Sequence, residues 1–568
     1  VNSKIPDPRS LTLKDQKDFT IIGRAIGGID SPRVVTGKPI FGVDTQLEGM
    51  VYAAYERSPV FGAKLASADL EAAKASPGVI DAFVLKGNDN PEMLVDGVAI
   101  LSNNWWLANK AREKLAIEWD NGQWGTHSSE GYEAQAQALW AEKPHGTIVA
   151  QGDADAAFAS AAKVIEADYH YPFLAHAPME PQNCTALCHA DGSVEIWAPT
   201  QNPADGVEGV AKTLGIGQDK ITLHITRSGG GFGRRLTNDF MSQAAAIAQK
   251  VQGTPVQLIW SREDDTRHDF YRPAGWHRLG AALDGDGNLV GFTDHFVTFK
   301  PAVEGNPFDP AGMTAGEFPA GYVDNLSFVQ SKMDTRVPMG ALRAPRSNGL
   351  AFVMQAFLDE VAEAQGRDLP SLMLDLLAKG EEPRMQAGPF GPMMGFSPKR
   401  AMGTIRRVLE NSDWAAGAAE GRGKGFGFYF SHSGYFAEVV EASVSNRGQV
   451  AVHNVWVVGD VGSQIVNPSG AHNQVEGSII DGLGQATGLA VHIADGAVVQ
   501  SNFHDYPLPR MPVTPNIEVD FLITDFPPTG LGEPALPPVL AALTNAIYNA
   551  TGKRVRRLPI DREALATA

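Results

Sequence analysis

The chain has 568 residues, 43% of them hydrophobic and 20% charged, with a formal charge of −18 at pH 7. That length exceeds one hydrophobic core and asks for about two to four domains, while the acidic balance excludes the Lys/Arg clusters that a nucleic-acid partner needs. No apolar run approaches the roughly 18 residues of a membrane span, and the two cysteines, Cys184 and Cys188, fall short of an iron–sulfur or zinc ligand set.

Residues 1–30 are polar and irregular and read as an N-terminal arm. Over 31–125, short β-like runs alternate with Ala-rich helical ones, as at 70–76, which predicts an α+β module. A polar stretch, 121–146, separates it from a second domain at 145–385. There, strands such as 163–171 and 256–260 mix with amphipathic helices near 240–251 and 350–364. Spaced by four in an apparent strand, Cys184 and Cys188 share a sheet face and read as small buried hydrophobes. Residues 381–400, rich in Met, Pro and Gly, read as a loop or linker. A third domain at 415–565 opens on Gly423-Lys-Gly-Phe-Gly-Phe428, with helices from 475 and over 539–550. The chain begins at Val1 with neither Met nor a signal-like segment, as a processed or truncated product would.

Arg227-Ser-Gly-Gly-Gly-Phe-Gly-Arg-Arg235 lies between a strand-like run and a helix. Successive glycines let backbone N–H groups approach a bulky or anionic ligand, and the same string also serves as a plain strand-to-helix turn. It lacks the Gly-Lys-Ser/Thr of a P-loop and the spacing of a dinucleotide fingerprint. In Pro528-Thr-Gly-Leu-Gly-Glu-Pro-Ala-Leu-Pro-Pro538, Gly532 permits unusual backbone angles and Pro534 fixes φ, which predicts a stiff loop around Glu533. A carboxylate ahead of a helix start suits a general base, and it equally suits a helix cap or brace. Gln201 in Pro199-Thr-Gln-Asn202, Arg343 in Arg336-Val-Pro-Met-Gly-Ala-Leu-Arg-Ala-Pro345, and Gln474 after Gly459-Asp-Val-Gly-Ser-Gln-Ile-Val-Asn-Pro468 complete an ordered set.

That set resembles the molybdenum-cofactor subunit of the xanthine dehydrogenase and aldehyde oxidoreductase superfamily, of the isoquinoline 1-oxidoreductase β-subunit type. Arg57-Ser-Pro-Val-Phe-Gly62 adds to the likeness. The resemblance implies an α+β fold: a hammerhead-like module followed by two molybdenum-cofactor-binding domains. It implies molybdenum with molybdopterin cytosine dinucleotide, the metal held by the pterin dithiolene and by no side chain. Glu533 is then the active-site base and Gln201 reaches toward the metal. Gly230, Gly231, Phe232, Gly233 and Arg234 form the turn beside it, with Arg343, Ala344, Gln474 and Gly532 completing the cofactor site. The implied reaction oxidises an aldehyde, or hydroxylates an N-heteroaromatic carbon, with water as the oxygen source.

Two departures refine this. Leu236 stands where purine-oxidising relatives place a carboxylate, and Arg343-Ala-Pro replaces their Arg-Gly-Phe, which disfavours xanthine. A Met-Gly-Gln-Gly segment of this type is not found before Leu13, so it is expected on a separate chain or in a longer product. Electrons are expected to leave through a separate small subunit carrying 2Fe-2S clusters, with a cytochrome c as a further acceptor. The resemblance leans to a periplasmic location, with the cytoplasm as the alternative. Two competing readings are a flavin or nicotinamide oxidoreductase and a non-enzymatic scaffold. The first lacks a carboxylate at 250–258 to bind a ribose, and the second leaves the Glu533 set unexplained.

Overall fold

The computed structural model describes residues 6–7, 10–88, 90–301, 309–383, 385–388 and 391–566. Its strands form three principal sheets, and helices cover them in an α+β arrangement. The largest sheet has seven strands, ordered Ile221–Ile225, Val194–Ala198, Asn183–Cys188, Val256–Ile259, Val51–Arg57, Gly97–Ser102 and Val79–Leu85. Val51 pairs in parallel register with Val256, so strands from before residue 125 and after residue 145 share one ladder. Cys184 and Cys188 are buried free thiols on this sheet, packed against the Ala-rich helix Asp239–Lys250.

A five-stranded sheet runs Gly146–Gln151, Asn325–Met333, Leu289–Phe299, Gly275–Leu283 and Lys163–Tyr171. A four-stranded one runs Gly423–Ser431, Gly434–Val444, Val450–Asp460 and Asn516–Leu522. Helices Ser347–Ala364 and Pro537–Thr551 lie between these two sheets and share one hydrophobic core with both.

The opening glycines of the third domain explain how that core closes. A Cβ on Gly423, Gly425 or Gly427 would lie 2.1–2.4 Å from backbone atoms of Pro538, Ala542 or Ala546. Alternate glycines therefore leave one strand face bare, and helix Pro537–Thr551 rests directly on it. That contact fixes where the helix begins, and with it the loop that carries Glu533.

Two segments differ from their sequence reading. Residues 385–388 and 391–394 pair as a short hairpin, and a helix starts at Pro398, capped by Ser397. The polar stretch at 121–146 contains helix Ser129–Leu139, whose Ser128 side chain accepts from the Gly131 N–H. In both cases a polar or Pro/Gly-rich composition hides a cap that starts a helix.

Candidate active site

Six chain segments meet around one cavity of about 620 Å³. Gln201, Phe232, Gly233, Arg343, Gln474, Gly532 and Glu533 line it, together with Leu236, Ala341, Pro345 and His432. Seven of the residues singled out in the sequence thus share one wall.

The glycine-rich turn supplies one side. Phe232 has φ +55° and Gly233 φ +111°, and a Cβ on Gly233 would fall 1.5 Å from the Ala341 carbonyl oxygen. Only a glycine allows the turn to lie this close to residues 341–343. The Arg343 N–H donates to the Phe232 carbonyl across the same contact. Gln201 braces the turn from the other side: its Oε1 accepts from the N–H groups of Gly233 and Arg235, at 3.2 and 3.3 Å. That leaves its Nε2 as a donor at the cavity wall.

Arg343 ties the remaining segments together. Its Nε donates to the Gly532 carbonyl at 2.8 Å, and one Nη donates to the carbonyl and Oε1 of Gln474, both at 2.9 Å. Burial, partly offset by Asp481 and Glu533, holds its guanidinium below the ordinary arginine range. Gln474 sits on helix Pro468–Thr487, which begins earlier than the run from 475 suggests because Asn467 caps it.

Glu533 is the one carboxylate in the lining among the described residues. Its Oε1 accepts from the Ala344 N–H at 3.0 Å, and its Oε2 lies 3.1 Å from His432 Nε2. The side chain therefore faces the cavity and does not cap the following helix, whose first two positions are Pro537 and Pro538. The loop is stiff, though not through Gly532: that residue is outside the left-handed region, and a Cβ there would touch nothing within 4 Å. Pro534 does the work instead, packing on Gly434, while the Leu536 N–H closes onto the Glu533 carbonyl.

His432 escaped the sequence reading. It occupies a two-residue turn between Ser431 and Gly434, with φ +52°, followed by Ser433 at +62°. Such a turn needs two left-handed residues and usually takes Asn-Gly. Here a His-Ser pair adopts it at a cost in strain and thereby points the imidazole at Glu533. Its Nδ1 lies 2.7 Å from Ser431 Oγ, which is 2.9 Å from Ser347 Oγ. Ala344 at φ +57° and Arg346 at +65° add to the strain, which gathers on this site.

Gly230, Gly231, Arg234 and Ala344 fall outside the lining, and Ala344 reaches the site only through its N–H to Glu533. The Gly230 carbonyl accepts from Arg235 Nε, and Gly231 abuts Gln201. Arg234 is 1% exposed, with an Nη 2.9 Å from Asp239 and Nε 3.1 Å from Asp269, between the faces of Trp260 and Phe270. Burial opposes ionisation of Asp269, and His176 with Arg234 outweighs it, so its carboxyl stays below the usual range. His176 Nε2 in turn sits 3.2 Å from the Ala341 carbonyl oxygen. Arg234 thus holds the turn from behind, away from the cavity lining. Arg234→Met is expected to cost about 3 kcal/mol by taking a buried cation away from two buried carboxylates, which keep only His176 and Arg57, readable in urea unfolding.

The profile of the molybdopterin cofactor-binding domain matches residues 140–373, and a second molybdopterin cofactor-binding profile matches 397–515. The chain is 31% identical to the isoquinoline 1-oxidoreductase subunit beta of Brevundimonas diminuta, over 99% of this chain and 71% of that protein. It belongs to the molybdopterin-binding subunits of the xanthine dehydrogenase and aldehyde oxidoreductase superfamily. It is therefore a molybdenum-dependent oxidoreductase subunit, and the nicotinamide, flavin and scaffold readings fall. A membrane-bound aldehyde dehydrogenase (pyrroloquinoline-quinone) of Gluconacetobacter polyoxogenes is 29% identical over 97% of this chain and 73% of its own length. Quinoline 2-oxidoreductase from Pseudomonas putida 86 shares the fold, with a TM-score of 0.78 at 16% identity, over 96% of this chain and 98% of that one.

The cavity residues fit such a cofactor. Gln201 and Gln474 each keep an amide Nε2 without a partner among the described residues, beside Arg343 and a turn whose backbone is bare of side chains at Gly233. Amide and N–H donors suit a heteroaromatic ring and a pyrophosphate. Among the described residues no helix is long and apolar enough to cross a membrane.

Proposed function

We propose that this subunit hydroxylates an aldehyde or an electron-poor N-heteroaromatic carbon with oxygen from water, and that Glu533 is the base. The observation that carries this reading is the Glu533 carboxylate, held at both oxygens and turned into the cavity. When bound, the cofactor supplies the two-electron acceptor chemistry. Gln201, Gln474 and the Phe232-Gly233 backbone would hold and orient it, while Arg343 locks the Gln474 helix to the Glu533 loop. Glu533 takes up a proton released as water oxygen is transferred, so that an aldehyde and water give the acid, two protons and two electrons. A base within reach of that proton contributes about 10²–10⁴ in rate. Leu236 gives the mouth an apolar edge, 41% exposed, that offers no hydrogen bond to a purine.

The finer assignments belong to the same proposal. They are the cytosine dinucleotide form of the cofactor, a 2Fe-2S partner subunit, a cytochrome c acceptor and a periplasmic location. The two buried thiols support a partner for electron relay, since neither is free to ligate a cluster.

Turnover in ¹⁸O-labelled water with an artificial dye acceptor tests the reaction. Label from water should enter the product of an aldehyde or N-heterocycle screen, whereas label arriving from O₂ would contradict it. His432 supports Glu533 in this scheme. His432→Ala is expected to lower kcat about tenfold, and His432→Gln to restore most of it, because the amide still donates toward Oε2. Equal rates in both variants would separate His432 from the base.

A further inference from the structure

A second cavity, of about 600 Å³, adjoins the first and shares Pro345 and His432 with it. Its walls are aromatic: Phe318, Tyr322, Phe396, Phe428, Tyr429 and Phe430 all contribute. Phe318 and Tyr322 have centroids 5.1 Å apart, and Phe396 and Phe430 5.3 Å, so the rings form a continuous wall. Such a wall accepts a flat unsaturated guest by offset or edge-on stacking.

Thr314, Arg346, Ser347, Gln355, Ser431 and His432 also line the cavity, and one carboxyl lies buried behind the rings. Glu317 lines the cavity and is 9% exposed. The Tyr429 hydroxyl donates to its Oε1, and its Oε2 has no partner among the described residues. Burial pushes the carboxyl up to about 7, although the Tyr429 hydrogen bond works the other way. A buried carboxyl with one oxygen unpartnered among the described residues is costly unless something else completes its hydrogen bonds.

We propose that this chamber seats the ring system of the substrate and that the Glu317 carboxyl hydrogen-bonds a pyridine-type ring nitrogen. The inference rests on the hydroxylase reading of the Glu533 site and narrows its substrate class to N-heteroaromatics. One proton lies between the carboxyl and the nitrogen. On the carboxyl it is donated to a neutral ring, and on the ring it faces a carboxylate. Either arrangement leaves the pair neutral overall, so burial of the site does not penalise it. A hydrocarbon ring bearing an aldehyde offers Glu317 no such partner. His432, at the junction of the two chambers, then stands between the ring pocket and Glu533.

The test is equilibrium binding of quinoline and of naphthalene, its nitrogen-free isostere, to the intact holoenzyme complex without an electron acceptor. Wild type is expected to hold quinoline about tenfold or more tighter than naphthalene. The double variant Glu317→Met, Tyr429→Phe removes both polar groups together and should bind the two equally, with naphthalene affinity unchanged as the control for folding. Tyr429→Phe alone keeps the carboxyl and should keep the preference. Equal binding in wild type, loss of the preference in Tyr429→Phe, or a preference that survives the double variant overturns the proposal. If the double variant does not fold, the wild-type ratio and Tyr429→Phe still decide. These are binding readouts, so failure of Glu533 as a base leaves them standing, and the reverse also holds.

Discussion

Glu533→Gln is expected to retain molybdenum at the wild-type level and to lose about a thousandfold in kcat. The amide oxygen can still accept from the Ala344 N–H, and the loop remains pinned by Pro534 on Gly434. What disappears is the capacity to take a proton at the second oxygen, the one facing His432. Loss of a base that acts in the transition state lowers kcat and kcat/KM together, with little change in substrate binding. Metal analysis and steady-state kinetics on one preparation check both halves. A variant that turns over within tenfold of wild type takes Glu533 out of the chemistry.

Gly233→Ala should have the next largest effect, and by a different route. The added methyl would sit 1.5 Å from the Ala341 oxygen, a backbone atom, at a φ of +111° that an L-residue rarely adopts. Either the glycine-rich turn or the 341–343 segment must move, and both line the cavity. Overpacking and backbone strain together cost on the order of 3 kcal/mol or more. The expected outcome is a protein almost devoid of molybdenum, with a melting temperature several degrees lower. Gly532→Ala is the control: a Cβ there meets nothing within 4 Å, and metal loading should be near normal. Normal loading in Gly233→Ala would mean that the turn does not shape the cofactor site.

The fold class and the gathering of the site were legible in the sequence through the family that the ordered motifs resemble, since each motif alone also fits a plain turn or a helix brace. Glycines mark where backbones approach, and the amides and the carboxylate of the set line one cavity. Gln201, Phe232, Gly233, Arg343, Gln474, Gly532 and Glu533 meet as their ordered motifs imply. Arg234 was read as part of the ligand-facing turn, but its destination depends on Asp269, a carboxylate from a separate segment that no local pattern connects to it. His432 was missed because its contact with Glu533 depends on two non-glycine residues accepting left-handed angles in a hairpin. The Ser-His-Ser-Gly string marks a turn, without showing what the turn faces. Glu317 and the aromatic chamber were missed for the same reason: their rings come from the segment around 318–322, from Phe396 and from strand Gly423–Ser431. The helix in 121–146 was more accessible, since Ser128 followed by Glu130 in the first turn is an N-terminal signal.

The account stands or falls on where the metal is. An anomalous-difference map at the molybdenum edge, from crystals of the active complex, should show a molybdenum peak inside the cavity bounded by Gln201, Phe232, Arg343 and Glu533, with no protein side chain ligating it. A peak elsewhere on this chain, or full activity in a complex without molybdenum, would contradict it.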